Sequence, residues 1–319
     1  MLANNPYIKD FKPKISFGYK PKNRTVRIRI TDTCNLNCSY CFEHDTLKRT
    51  KYIDEYNLIN ILENLKKLYL KESRKINLFL WGGEPLLNPN LEWFIYTIRE
   101  RYHFIENIEL HSNLSIKLKE NNLFTRLTKF PNLNLTLNSS IHPEYYFNKN
   151  YKVLDNLKLI TDIDNKLITE VNLMLHKIED YDKVLKIKDD IINSFESIRP
   201  KFPITIIPTT QLIESDYKKL KIIAKDLFED KNVISSKKNI SYIEMFKINV
   251  KDFSCNVPKD SFIINTDGEI FWCQNDFLTN SGSGINFFID FELIKMNFLN
   301  VNVCKYTSCN CEHNIYKES

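Results

Sequence analysis

From residue 26 onward, apolar runs of strand length alternate with stretches of helical period, and few architectures accept that alternation. The strand-like segments are Val26–Thr31, Ile76–Trp81, Ile108–Ser112, Leu133–Leu137, Ile168–Leu175 and Pro203–Pro208. Helical patterns follow at Asp54–Leu70, Asn90–Tyr102, Lys119–Thr128, Val153–Ile163, Asp182–Phe195 and Ser215–Phe228. In the first helix Leu58, Ile61, Leu62, Leu65 and Leu68 fall on one face, and Asp54 stands where an N-cap belongs. Six βα units with short links predict an α/β fold around a parallel sheet with right-handed crossovers. The pattern alone suits an open doubly wound sheet or a barrel. No internal repeat and no low-complexity tract interrupts it.

The first unit carries Cys34, Cys38 and Cys41 directly after its strand, as C-x3-C-x2-C. Thiolates are soft ligands that suit zinc or iron–sulfur clusters. A 4Fe–4S cube normally takes four cysteines, so three leave one iron open to a small molecule. By itself the run also fits a zinc loop or ordinary core thiols. The second unit ends in Trp81-Gly82-Gly83-Glu84-Pro85. Its glycines permit positive φ and close approach of a ligand, Glu84 offers an acceptor for an ammonium group, and Pro85 fixes the exit. By itself that run is a strand-to-helix turn.

Together, with Tyr40 as the aromatic before the last cysteine, the two motifs resemble the signature of the radical S-adenosylmethionine (SAM) superfamily. The resemblance implies a partial (β/α)6 TIM-like barrel, with both motifs on the rim at the C-terminal ends of the strands, where barrel chemistry lies. It implies a 4Fe–4S cluster on Cys34, Cys38 and Cys41, with S-adenosyl-L-methionine chelating the open iron. By the same resemblance Gly82, Gly83 and Glu84 bind the methionine amino group, and Phe42 meets the adenine. Asn113, Thr136 and Asn172 are implied as further cofactor contacts. The chain departs from the family pattern in three places. Thr136 stands where a Ser is common, Leu114 replaces the glycine of a Thr-Asn-Gly run, and an Arg expected after the fourth strand is missing, with Phe147 and Lys149 nearby.

The other five of the eight cysteines are Cys255, Cys273, Cys304, Cys309 and Cys311. Ser261–Cys273 reads as a hairpin closed at Asp267-Gly268. Cys255, Gly268 and Cys273 fit C-x12-G-x4-C, which resembles the first half of the SPASM/twitch extension. That resemblance implies a small C-terminal β-hairpin/irregular iron–sulfur domain. Five thiols complete one auxiliary 4Fe–4S cluster, with Cys255, Cys273, Cys304 and either Cys309 or Cys311 as ligands. A zinc knot is the other use of these residues. The expected division is an N-terminal arm at 1–25, a barrel at 26–235 and a twitch/SPASM-like domain at 236–319. With so short an arm, no leader-peptide-binding domain is expected within the chain.

Charge and composition exclude other classes. The net charge of +5 is dispersed, which argues for solvated faces and against a nucleic-acid groove. No signal core or membrane-length apolar run is present, and the cysteines are too sparse for a disulfide scaffold. A cytoplasmic, reducing home is expected. The expected activity is a radical SAM oxidoreductase acting as a maturase of a ribosomally synthesised peptide. It would form a 5′-deoxyadenosyl radical and make an oxidative crosslink, another C–H functionalisation or an epimerisation. Its expected partners are the peptide, a separate leader-peptide-binding protein, and flavodoxin or ferredoxin as electron donor. A dehydrogenase of a small sugar or aminocyclitol is the alternative enzyme, and a non-catalytic iron–sulfur scaffold or sensor the alternative from another class. No motif places a general base.

Overall fold

Along β1 (Arg24–Thr31), Val26, Ile28 and Ile30 are fully buried, while Thr25 and Arg27, on the other face, are half-exposed. That period of two recurs in β2 (Ile76–Gly82), β3 (Ile105–Ser112), β4 (Leu135–Ile141) and β5 (Ile168–Leu175). It gives the sheet one apolar face and one polar face. The computed structural model describes residues 23–41, 50–69, 75–118, 123–128, 134–148, 151–164, 166–195, 202–223, 254–255, 261–289, 292, 294, 302–303 and 315–316. Phe42, Cys304, Cys309 and Cys311 lie outside them, as does residue 235, where a domain boundary is expected.

The helices are α1 (Glu55–Tyr69), α2 (Leu91–Arg101), α3 (Leu123–Leu127), α4 (Pro143–Tyr146), α5 (Val153–Ile163), α6 (Tyr181–Ser194) and α7 (Thr210–Ile223), the last following β6 (Ile204–Pro208). Asp54 caps α1, accepting Asn57 N at 2.7 Å. The hydrogen-bonded strand order across the parallel strands is β6-β5-β4-β3-β2-β1. A doubly wound sheet reverses its order part-way and so places helices on both faces. An unbroken order with right-handed crossovers puts every helix on one face, which is how a barrel is wound. The chain is therefore a partial barrel, open between its edge strands. Leu58, Ile61, Leu62, Phe94, Ile98, Leu157, Val184 and Ile187 bury the helices against the outer face of the sheet. The other face, the lumen, carries Arg27, Phe79, Trp81, Glu109, His111, Thr136, Asn138, Ser140 and Asn172.

Among the boundaries that shift from the sequence expectation, three move by three residues or more within the described residues. β3 begins at Ile105, and α7 begins at Thr210. β4 runs to Ile141 because its last turns, Asn138-Ser139-Ser140, present polar side chains that carry no apolar strand signal.

The C-terminal hairpin, β8 (Ser261–Ile264) and β9 (Ile270–Phe271), does not stand apart from the barrel. β8 pairs in parallel with β1, Val26 opposite Phe262 and Ile28 opposite Ile264, so the sheet continues through β1 to β8 and β9. Its turn closes at Asp267-Gly268 as expected, with Gly268 at φ +83 and its N–H on Asn265 O. A short helix, α8 (Gln274–Leu278), follows Cys273. Preceding the hairpin, β7 (Ser254–Cys255) forms a second sheet between β10 (Asn302–Val303) and β11 (Ile315–Tyr316). Cys255 there pairs with Asn302 on one side and Ile315 on the other.

Candidate active site

At the end of β1 the chain turns out into the cysteine loop. Asp32 N donates to Lys51 O at 2.9 Å and Thr31 Oγ1 to the same oxygen at 3.2 Å, which closes the loop at its root. Arg29 Nε stands 3.0 Å from Asp32 Oδ1, and both side chains are buried. Cys38 is buried, and Cys34 and Cys41 are half-buried. Leu36 N lies 3.4 Å from Cys34 Sγ, and Asn113 Nδ2 lies 3.9 Å from it. Burial pushes the Cys38 thiol far above its ordinary range, and Glu144, Cys41 and Cys34 add to the effect. Thiols crowded this way ionise together only beside positive charge, so the donor set fits a soft metal centre. Among the described residues no three His, Cys, Asp or Glu side chains converge on one ion. A cube, unlike a single ion, takes each thiolate on a different iron.

The Gly-Gly-Glu segment packs directly on this loop. Gly83 N donates to Thr31 O at 3.0 Å and Glu84 N to Thr33 O at 2.8 Å. A Cβ on Gly82, whose φ is +150, would stand 2.2 Å from Thr31 O, and one on Gly83 would stand 2.3 Å from Thr33 O. The two glycines are thus required by close approach of two backbones. Glu84 is fully buried. Its Oε1 accepts Ser112 Oγ at 2.7 Å and Leu86 N at 3.0 Å, and its Oε2 accepts Asn113 N at 2.8 Å. Burial raises this carboxyl to about 7 against the opposing pull of those three hydrogen bonds. The side chain ties the end of β2 to the end of β3. Asn113 continues the tie, with Nδ2 on Asn35 Oδ1 at 3.2 Å and Tyr151 Oη on its carbonyl at 3.3 Å.

Leu114, which stands where the family pattern has glycine, adopts φ +50. The position keeps the glycine-like backbone, and the leucine is fully buried, held beneath α5 by Asn156 Nδ2 on Leu114 O at 2.6 Å.

On the lumen wall the expected contacts divide. Thr136 lies opposite Glu109, five residues before β4 ends, and its Oγ1 accepts Asn107 Nδ2 at 3.2 Å. The same face of β4 reaches the rim at Ser140, four residues beyond Thr136, and places a second hydroxyl there. Asn172 donates to Asn138 Oδ1 at 2.8 Å, and its own Oδ1 is buried without a partner among the described residues. Among the same residues Trp81 Nε1 is buried without an acceptor. An orphaned acceptor and an orphaned donor on the lumen wall suit a polar ligand.

Several residues escaped the sequence reading. His142, just past β4, places Nδ1 3.4 Å from Cys38 Sγ and 2.5 Å from Tyr40 Oη, with Nε2 3.2 Å from Ser140 Oγ. Burial pushes its imidazole down to about 4, so it is neutral at pH 7. Tyr40 also lies against the His176 ring at 4.6 Å. Glu109 and His111 form a lumen pair at 2.7 Å beside Phe79. The one available signal was two polar residues spaced by two inside an apolar strand, Glu109 and His111. Nothing in the sequence marked His142.

Among known proteins, a family model described as the radical SAM superfamily matches residues 28–191, just over half of the chain. GTP 3′,8-cyclase of Clostridium acetobutylicum is 30% identical over 185 residues, covering 57% of this chain and 54% of that protein. An S-adenosylmethionine-dependent nucleotide dehydratase of Fibrobacter sp. is 29% identical over 87 residues, 26% of each chain. The chain therefore spans about half or less of the length of these relatives. The solved structure of native anSMEcpe with bound AdoMet shares 14% identity at TM-score 0.53, covering 85% of this chain and 80% of that one, a likeness of fold.

Proposed function

Since the chain belongs to the radical SAM superfamily, we propose that it is an enzyme that opens an unreactive C–H bond of a substrate held in the barrel lumen. The observation that carries this is the joining of two motifs. Cys34, Cys38 and Cys41 stand on a loop whose root is hydrogen-bonded to Gly82-Gly83-Glu84 through Gly83 N and Glu84 N. Bound there, a cluster and S-adenosylmethionine would supply a 5′-deoxyadenosyl radical. This chain's own residues hold the pieces. The three thiols grip the metal, and Asn113 and Leu36 direct N–H groups at Cys34. We assign the ammonium of the cofactor to the main chain of Gly82–Glu84, since the Glu84 carboxylate already accepts three hydrogen bonds. Ser140 and Asn172 are the wall groups we assign to its polar atoms, with Phe42 toward the adenine.

For the substrate we propose a ribosomally made peptide, with a twitch-like auxiliary cluster on Cys255, Cys273, Cys304 and Cys309 or Cys311 in residues 236–319. The hairpin and the strand pairing of Cys255 support that reading. A nucleotide is the second reading, supported by the sequence matches to a GTP cyclase and a nucleotide dehydratase. The lumen weighs against a polyphosphate. Its described charges are Arg27, Arg29, Glu109 and Glu170, and Arg29 is paired with Asp32. A triphosphate calls for an excess of cations.

The test is anaerobic reconstitution with iron and sulfide, then reduction with S-adenosylmethionine, flavodoxin or ferredoxin serving as the natural donor. The expected result is 5′-deoxyadenosine and methionine, lost in Cys34→Ala, Cys38→Ala and Cys41→Ala. About eight irons per chain support two cubes, and about four, unchanged by Cys255→Ala with Cys273→Ala, remove the auxiliary cluster. Absence of 5′-deoxyadenosine from iron-loaded protein leaves only the scaffold or sensor reading.

A further inference from the structure

The turn of the C-terminal hairpin meets the cysteine loop at its root, from the side opposite the Gly-Gly-Glu segment. Thr266 Oγ1 lies 2.9 Å from Asp32 Oδ1 and 3.0 Å from Asp32 Oδ2, a contact across 234 residues. Asp32 precedes Cys34 by two positions and also holds Arg29. All three side chains are buried. The neighbouring Asp267 pairs with Lys51, whose carbonyl closes the loop. One turn thus touches both the entry and the exit of the segment that carries the three thiols.

A buried carboxylate needs every partner it has, because a lost hydrogen bond leaves charge that water cannot reach. Asp32 is where the chain leaves β1 for the loop. Its orientation sets the direction in which Thr33 and Cys34 depart, and Glu84 N on Thr33 O fixes the other side. The exposed Lys51–Asp267 pair is the weaker of the two ties.

We propose that Thr266 is a positioning residue of the first metal site, acting through Asp32 to hold the cysteine loop in its cluster-binding shape. The inference rests on the reading of Cys34, Cys38 and Cys41 as cluster ligands. It makes the C-terminal hairpin part of the first metal site's scaffold, whatever Cys273 binds.

The test uses full-length protein, reconstituted anaerobically, as wild type, Thr266→Val, Thr266→Ser and Lys51→Ala, all carrying Cys273→Ala so that only the first site is followed. Valine keeps the shape and removes the hydroxyl, and serine restores it. Iron release to a chelator is timed, and the reduced cluster's electron paramagnetic resonance spectrum is recorded. Release from Thr266→Val is expected to be about tenfold faster or more, with an altered spectrum. Thr266→Ser is expected within about twofold of wild type, and Lys51→Ala about two- to threefold faster with an unchanged melting temperature. The serine rescue separates positioning from bulk destabilisation. Should Thr266→Val not fold, Thr266→Ala decides by the same release assay. Wild-type release rates and spectra in Thr266→Val, or in Thr266→Ala where the valine variant does not fold, overturn the inference. A wild type that takes up no iron overturns the cluster reading itself, and this inference with it.

Discussion

Glu84 shows how much structure one motif residue can tie together. Its carboxylate is closed off by Ser112, Leu86 and Asn113, and burial holds it near 7 where an ordinary glutamate titrates at 4.5. The folded state therefore binds this proton more tightly than the unfolded chain. The resulting stability is fully present below about 4.5 and is lost as pH rises to about 7. Glu84→Gln removes that titration and turns an amide N–H toward Asn113 N. Urea unfolding of the apoprotein should show a loss of about 1–3 kcal/mol, larger at about pH 5 than at about pH 7.5. Leu114 gives a second case. Its φ of +50 strains a leucine by about 1–2 kcal/mol, yet the side chain is fully buried. Leu114→Gly relieves the strain but empties the site, where burial is worth about 2–5 kcal/mol. A net loss of about 1–3 kcal/mol in urea denaturation is the expected outcome, although the family pattern has glycine there.

At the scale of elements, the barrel strands were legible because each has one apolar face toward helices, and that face imposes its period on the sequence. β5 and α5 fall where the pattern put them. The polar face carries no such signal, so the pattern ends β4 before Ser140, whose hydroxyl lies at the rim. The hairpin was legible from Asp267-Gly268, but its docking on β1 was not. A strand of Phe262, Ile263 and Ile264 reads the same whichever edge it joins, and local pattern says nothing about a partner so distant. Phe262 stacks on Phe287 at 5.6 Å and is buried. Phe262→Ala should cost about 3–5 kcal/mol in urea unfolding and weaken the hold of β8 on the edge of β1. A smaller loss, with no tendency to aggregate, would mean that β8 is dispensable to the sheet.

For the whole molecule, the two motifs and the turn of the hairpin bear on one rim, while the helices cover the outer face of the sheet. No described helix is long and apolar enough to cross a membrane. Ligand linkage gives a measurement on the intact protein. With S-adenosylmethionine at about a hundredfold above its Kd, the reconstituted enzyme should gain about 2.7 kcal/mol in stability. Cys38→Ser, lacking a complete metal site, should gain far less in the same anaerobic thermal-shift experiment.

The contact between Thr266 and Asp32 spans 234 residues, which orders events during synthesis. At about 5–20 residues per second, roughly 10–50 s separate the emergence of the loop from that of the turn that grips it. Iron offered to a nascent chain would find sulfurs without their brace. Insertion of the metal therefore belongs after the ribosome has delivered the hairpin, and a chain stalled before residue 266 should be a poor recipient.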